Sequence, residues 1–146
     1  MNLKIVCENE KYLPEYANDT DACMDLKVKL ETDMEVLLSG QTKIFGTGIQ
    51  VAIPEDHVML IFPRSSTGIK LHCMLSNTTG VIDTGYRDEI KMAVTNFGEN
   101  DIAILDGQRL AQFMVIPRPK INLVITNDDE DFRNGDRGGG IGSTGK

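Results

Sequence analysis

Five segments of this chain put residues able to handle phosphate, protons or a planar base between or beyond apolar runs. In Pro63-Arg64-Ser65-Ser66-Thr67-Gly68 an arginine directly precedes two hydroxyls and a candidate helix start. Guanidinium, hydroxyls and free backbone amides together suit phosphate oxygens, although a plain helix start has the same local sequence. In Asn77-Thr78-Thr79-Gly80-Val81-Ile82-Asp83-Thr84-Gly85-Tyr86 the spacing predicts a tight β-hairpin with its tip at Thr78–Gly80, where backbone groups could meet a planar base. Asp83 there reads either as a turn residue or as a base held over a water. Asp25, in Asp21-Ala22-Cys23-Met24-Asp25-Leu26, opens a strand as a turn cap or as a solvated acid near a metal. In Gly107-Gln108-Arg109-Leu110-Ala111-Gln112-Phe113, Arg109 and Gln112 cannot share one face of a flat strand, so a turn or a neighbour must re-aim one of them. The last segment, 127–146, runs through Asp128, Asp129, Glu130 and Asp131 into six glycines. It has little to bury and reads as a solubilising tail or, with Arg133, Arg137, Ser143 and Thr144, as a closing anion-binding flap. It lacks the GxxxxGK[ST] order of a P-loop.

The elements that must hold these residues show period two. Leu26, Val28 and Leu30 alternate with lysines, and Ile49, Val51 and Ile53 with Gln50 and Ala52. Val58, Leu60 and Phe62 oppose Met59 and Ile61, which predicts a strand buried on both faces. Ile90, Met92 and Val94 form another alternating set, and Ile121, Leu123 and Ile125 a last one. Turn signals stand between them at Ser39-Gly40, Pro54-Glu55-Asp56, Asn96-Phe97-Gly98 and Asp106-Gly107. Val, Ile and Thr make up 34 of 146 residues and Ala only 6, a mixture that favours strands. The spacers are too short for the helices of a doubly wound fold, so the fold class is all-β, sandwich or barrel. The one expected helix starts at Ser65 or Ser66, with a hydroxyl as its cap, and runs to Lys70.

Composition narrows the partners. A net charge of −7 argues against a nucleic-acid groove and against a polybasic membrane patch, while leaving room for a local phosphate pocket. No apolar run is long enough to span a membrane, and MNLKIVCENE does not read as a signal peptide. Cys7, Cys23 and Cys73 cannot all pair within the chain, and with His57 and His72 they offer no zinc spacing. They read as reduced packing groups in a cytoplasmic protein, in host cytoplasm if the gene is viral.

Taken together, PRSSTG (63–68), GVIDTGY (80–86) with Asn77 ahead of it, GQRLAQ (107–112) and GIGSTG (140–145) resemble the ordered motifs of the homotrimeric deoxyuridine triphosphate nucleotidohydrolase (dUTPase) family. With a first motif around Ala22, they span residues 22 to 145. The resemblance implies a distorted jelly-roll or β-barrel over 1–126 and a flexible flap over 127–146. It also implies a homotrimer whose three sites lie at subunit junctions, each flap completing a neighbour's site. Asp83 would activate the water that attacks the α-phosphorus of dUTP, giving dUMP and pyrophosphate. Tyr86 would pack under the deoxyribose, and Asn77, Gly80, Val81 and Ile82 would surround uracil. Arg64, Ser65, Ser66 and Gln112 would hold phosphates; Ser66 would help or only cap the helix. Arg109 matches a family arginine that either positions the site through an ion pair or meets substrate. Arg137, Ile141, Gly142, Ser143 and Thr144 would close over the nucleotide, with Arg133 the alternative to Arg137 at the γ-phosphate. Mg²⁺ is the implied cofactor, held by phosphates and waters with no direct protein ligand, and Asp25 has at most an outer-sphere role. A regulatory protein partner is compatible with this reading but is not derivable from the residues.

Three departures from the family pattern stand out. Cys23 replaces a glycine, Asp88 replaces a glycine after Tyr86-Arg87, and Ile141 replaces the uracil-stacking phenylalanine in a tail one residue shorter. The last implies retained activity with weaker closure, because isoleucine offers dispersion but no π face. Two rival readings remain: a dCTP deaminase of the same fold, and a non-catalytic structural or regulatory protein that keeps it.

Overall fold

The computed structural model describes residues 1–136 and Gly138, so the sequence-assigned residues Arg137, Ile141, Gly142, Ser143 and Thr144 lie outside the described residues. Among the described residues eleven strands carry the fold: β1 Lys4–Cys7, β2 Met24–Lys27, β3 Met34–Leu37, β4 Thr42–Gly46, β5 Ile49–Ala52, β6 His57–Pro63, β7 Cys73–Leu75, β8 Gly80–Ile82, β9 Lys91–Asn96, β10 Ile102–Leu105 and β11 Arg109–Pro117. Two five-residue helices, α1 Ser65–Ile69 and α2 Asp129–Arg133, complete it with a 3-10 turn at Glu10–Tyr12. All the ladders between these strands are antiparallel. They form a four-stranded sheet β2-β11-β6-β8, a three-stranded sheet β4-β9-β7, and the pairs β1-β5 and β10-β3. The all-β expectation holds, and among the described residues the ladders stay open instead of closing into one barrel.

Alternation explains most of the core. Leu26, Val28, Ile49, Val51, Ile53, Ile90, Met92 and Val94 are all buried, as the period-two reading predicts. β6 has no exposed position, because it lies between β11 and β8 within the sheet while both of its faces are covered. The four turn signals all fall at or between strand ends, with positive φ at Gly40 and Gly107.

Three expectations need correction. The segment 77–86 is not a hairpin: β7 pairs with β9, while β8 pairs with β6, so the turn at 76–79 is a corner between two sheets. That corner is tight, with Thr78 at φ 61°. Gly80 serves close packing and not the turn, since a Cβ there would lie 3.1 Å from Cβ of Ile61. Arg64 occupies the N-cap position of the helix after Pro63, with no side-chain capping bond, and neither serine caps it. Finally, the alternating Ile121, Leu123 and Ile125 form no strand. They are 77%, 91% and 93% exposed, because the pattern finds no partner strand among the described residues. Among the described residues no helix is long and apolar enough to cross a membrane.

Candidate active site

The four-stranded sheet organises the phosphate-type residues at one of its corners. β2 and β11 run antiparallel with Asp25 opposite Gln112. A bulge between Arg109 and Ala111 breaks the register there, which answers how Arg109 and Gln112 can both be used. The bulge turns Arg109 onto Asp25, at 3.1 Å from Nη1 to Oδ2, while the Gln112 amide donates to the Pro63 carbonyl at 3.2 Å. Arg64 leaves the end of β6 and meets the other Asp25 oxygen, at 2.7 Å from Nε to Oδ1. Asp25 is therefore not a solvated acid or a turn cap. It is buried within a strand, and each of its oxygens is engaged by an arginine. Of the two readings of Arg109, the structure bears out the ion pair. Arg64, Ser66, Lys70, Gln108 and Arg109 line an open pocket of about 380 Å³, with the Ser65 side chain exposed beside it.

Removing the anion between these arginines leaves two cations without their partner in a partly dry corner. Asp25→Ala is expected to cost about 2 kcal/mol of stability, discounted for the solvent access of both guanidinium groups. A drop in the urea midpoint with unchanged slope measures it.

The base-type residues assemble at another corner. Asn77, Gly80, Val81 and Ile82 line a cleft of about 290 Å³ between the two larger sheets, closed by Ile61, Leu75 and Ala93. Lys91 lines the same cleft; as a polar residue alternating with Met92 on a strand it reads from sequence as plain solvent face, so pattern reasoning passes over it. Beyond β8 the chain turns, with the Tyr86 amide donating to the Asp83 carbonyl at 3.1 Å and the Thr84 hydroxyl to the His57 carbonyl at 2.9 Å. The Tyr86 hydroxyl donates to the Glu89 carbonyl at 2.8 Å, which fixes its half-buried ring. The Asp83 side chain is exposed, and its carboxylate has no hydrogen-bond or ion-pair partner among the described residues.

Register shows how far apart the two corners are. Ile82 pairs with Met59, so Asp83 lies level with Val58, six residues along β6 from Arg64. At strand spacing that is about 20 Å. Arg64 moreover reaches the opposite way, past β11 to Asp25 on the far edge strand. Asp83 and the arginines thus occupy diagonally opposed corners, further apart than one triphosphate extends. One chain brings together Arg64, Ser66 and Arg109, and separately Asn77, Gly80, Val81 and Ile82, but it does not bring the two groups together.

Among the described residues no three His, Cys, Asp or Glu side chains converge on a point where a cation could bind. With both Asp25 oxygens held by guanidinium groups, the donor set suits a cation delivered by phosphate oxygens and water. Arg133, the alternative tail cation, is paired with Asp129 at 2.9 Å on the exposed α2.

A family model described as dUTPase matches residues 9–145, nearly the whole chain. The chain belongs to the dUTPase family. Among curated family members, the deoxyuridine 5'-triphosphate nucleotidohydrolase of Clostridium tetani is 36% identical over 146 residues, covering 100% of this chain and 97% of the relative. That of Chlamydia caviae is 35% identical, covering 99% of each. Among solved structures, a mutant dUTPase of phage phi11 of S. aureus, described with a coordinated structural Mg(II) ion, superposes with a TM-score of 0.77 at 23% identity. That match covers 89% of this chain and 99% of the phage chain. The dUTPase of Streptococcus mutans gives a TM-score of 0.73 at 23% identity, covering 84% and 99%. These two structures share the fold of this dUTPase family member.

Proposed function

We propose that this member of the dUTPase family is a dUTP diphosphatase in which Asp83 of one copy works with the arginine corner of another. The observation that carries this reading is the unpartnered Asp83 carboxylate, held by a fixed turn next to the Asn77–Ile82 cleft and remote from its own Arg64. Uracil enters the cleft, where the backbone of 77–82 pairs with its edge and close walls leave no space for a 5-methyl group. The Tyr86 ring, already anchored through its hydroxyl, underlies the deoxyribose. A ribose 2′-hydroxyl would meet that ring and lose its hydrogen bonds to water, which is a strong basis for rejection.

Asp83 accepts a proton from a water as the water oxygen bonds to the α-phosphorus. The bond from that phosphorus to the bridging oxygen then breaks, and pyrophosphate leaves with its electron pair. From the adjoining copy, Arg64, Ser65, Ser66 and Gln112 hold the phosphate chain, while Asp25 and Arg109 keep Arg64 aimed. Mg²⁺ arriving with the triphosphate would be held by phosphate oxygens and water, with no direct protein ligand, and would supply charge withdrawal from the leaving group. The glycine-rich segment with Arg137, Ile141, Gly142, Ser143 and Thr144 serves as the flap that excludes bulk water. Ring closure of copies into a trimer would give each Asp83 one arginine corner and leave no site incomplete. Cys7, Cys23 and Cys73, all free thiols, fit a cytoplasmic setting.

The test is a nucleotide panel with and without a chelator. Pyrophosphate is expected from dUTP, with dCTP, dTTP and UTP at least about a hundredfold poorer, since each leaves a polar group unpaired or clashes with a fixed wall. Ammonia released from dCTP would instead make the chain a deaminase.

A further inference from the structure

Asp106 stands outside every motif assigned above, yet it is the most heavily bonded carboxylate near the phosphate corner. Oδ1 accepts from the Tyr12 hydroxyl at 2.8 Å and from the Leu30 amide at 2.9 Å, while Oδ2 takes the Lys11 ammonium. Only 15% of its side chain is exposed. Burial alone would raise its pKa, but the bonds from Lys11, Leu30 and Tyr12 outweigh that and hold the carboxyl below the usual range. Lys11 is correspondingly pushed up to about 12, chiefly by its bond to Asp106. Tyr12 is itself wedged against Gly48, where even a Cβ would come within 2.8 Å of its ring. The carboxylate is therefore tied to three anchors, of which two are nearly immobile.

What it anchors is the turn into β11. Gly107, at φ +78°, donates to the Val28 carbonyl at 2.8 Å, and the Val28 amide donates back to the Gln108 carbonyl at 2.9 Å. The Gln108 side chain accepts from the Leu105 amide at 2.8 Å. Arg109 follows immediately, at the bulge that sends it to Asp25. The next carbonyl, that of Leu110, accepts both the Arg64 amide at 3.2 Å and the Thr67 hydroxyl at 2.7 Å. Wherever the 106–108 turn sits, both arginines of the pocket must follow.

We propose that Asp106 is a positioning residue for the phosphate pocket: by pinning the turn before β11 to the 10–12 turn and to Leu30, it sets the aim of Arg109 and Arg64 without touching substrate. The inference rests on the functional reading given above, so its test starts from wild-type protein that binds a non-hydrolysable α,β-imido dUTP; absence of that binding would refute the functional reading itself. Asp106→Asn retains one acceptor but loses the charge and the Lys11 bond. Titration calorimetry is expected to show the imido dUTP bound about tenfold more weakly, with dUMP affinity changed less than about twofold, because dUMP lacks the outer phosphates that Arg64 holds. Lys11→Met, on an exposed side chain, is expected to shift the same ratio in the same direction by about threefold with the fold intact. Equal weakening of both ligands, or no weakening of the triphosphate analogue in either variant, would overturn the proposal.

Discussion

Asp83→Asn is expected to reduce kcat for dUTP roughly a thousandfold while leaving the affinity for the imido analogue within about twofold of wild type. Both halves follow from geometry. The carboxylate is solvent-exposed and makes no bond that the fold depends on among the described residues, so an isosteric amide leaves the 83–86 turn intact. An amide oxygen can still orient a water but cannot take its proton, so the loss falls on turnover. Unchanged melting temperature with collapsed kcat is the predicted signature. A fall of less than about tenfold would assign the base elsewhere.

Much of the scaffold was legible because burial acts locally on a strand. Every position of β6 after His57 is apolar, and a central strand covered on both faces requires that; the four turns needed only their own φ angles or side chains. Partner choice was not legible. Residues 73–82 contain two strand-forming stretches and a turn, the local signature of a hairpin, yet each strand pairs with a third party. Nothing within ten residues encodes that. The segment around Ile121, Leu123 and Ile125 shows the same limit, since alternation describes a surface that wants covering and not what covers it.

The candidate site divides in the same way. Asp83, Arg64 and Gln112 could be named from short motifs, because a motif records residue types at fixed spacing. The role of Asp25 could not, because it is set by Arg64 and by Arg109, 84 residues away in sequence, once β2 and β11 are side by side. Lys91 was masked by ordinary strand alternation, and Asp106 by its place in an ordinary Asp-Gly turn. Above all, the motifs say nothing about distance. Only the antiparallel register of β6 and β8 reveals that the base corner and the arginine corner of one chain lie about 20 Å apart.

That separation makes a second large effect. Arg64→Gln is expected to bind the triphosphate poorly, keeping one donor for Asp25 but no charge for phosphate, and Asp83→Asn to turn over hardly at all. Each variant alone should be nearly inactive. In a ring assembly, a copy that keeps Asp83 can nonetheless face a copy that keeps Arg64. The deciding measurement is pyrophosphate release by assemblies purified through two different tags, one on each variant, after co-expression. If sites are shared between neighbours in a trimer, each mixed assembly holds one intact junction of three and recovers about one third of wild-type activity. If doubly tagged assemblies cannot be isolated, or are as inactive as the separate variants, the site is not built across copies of the chain.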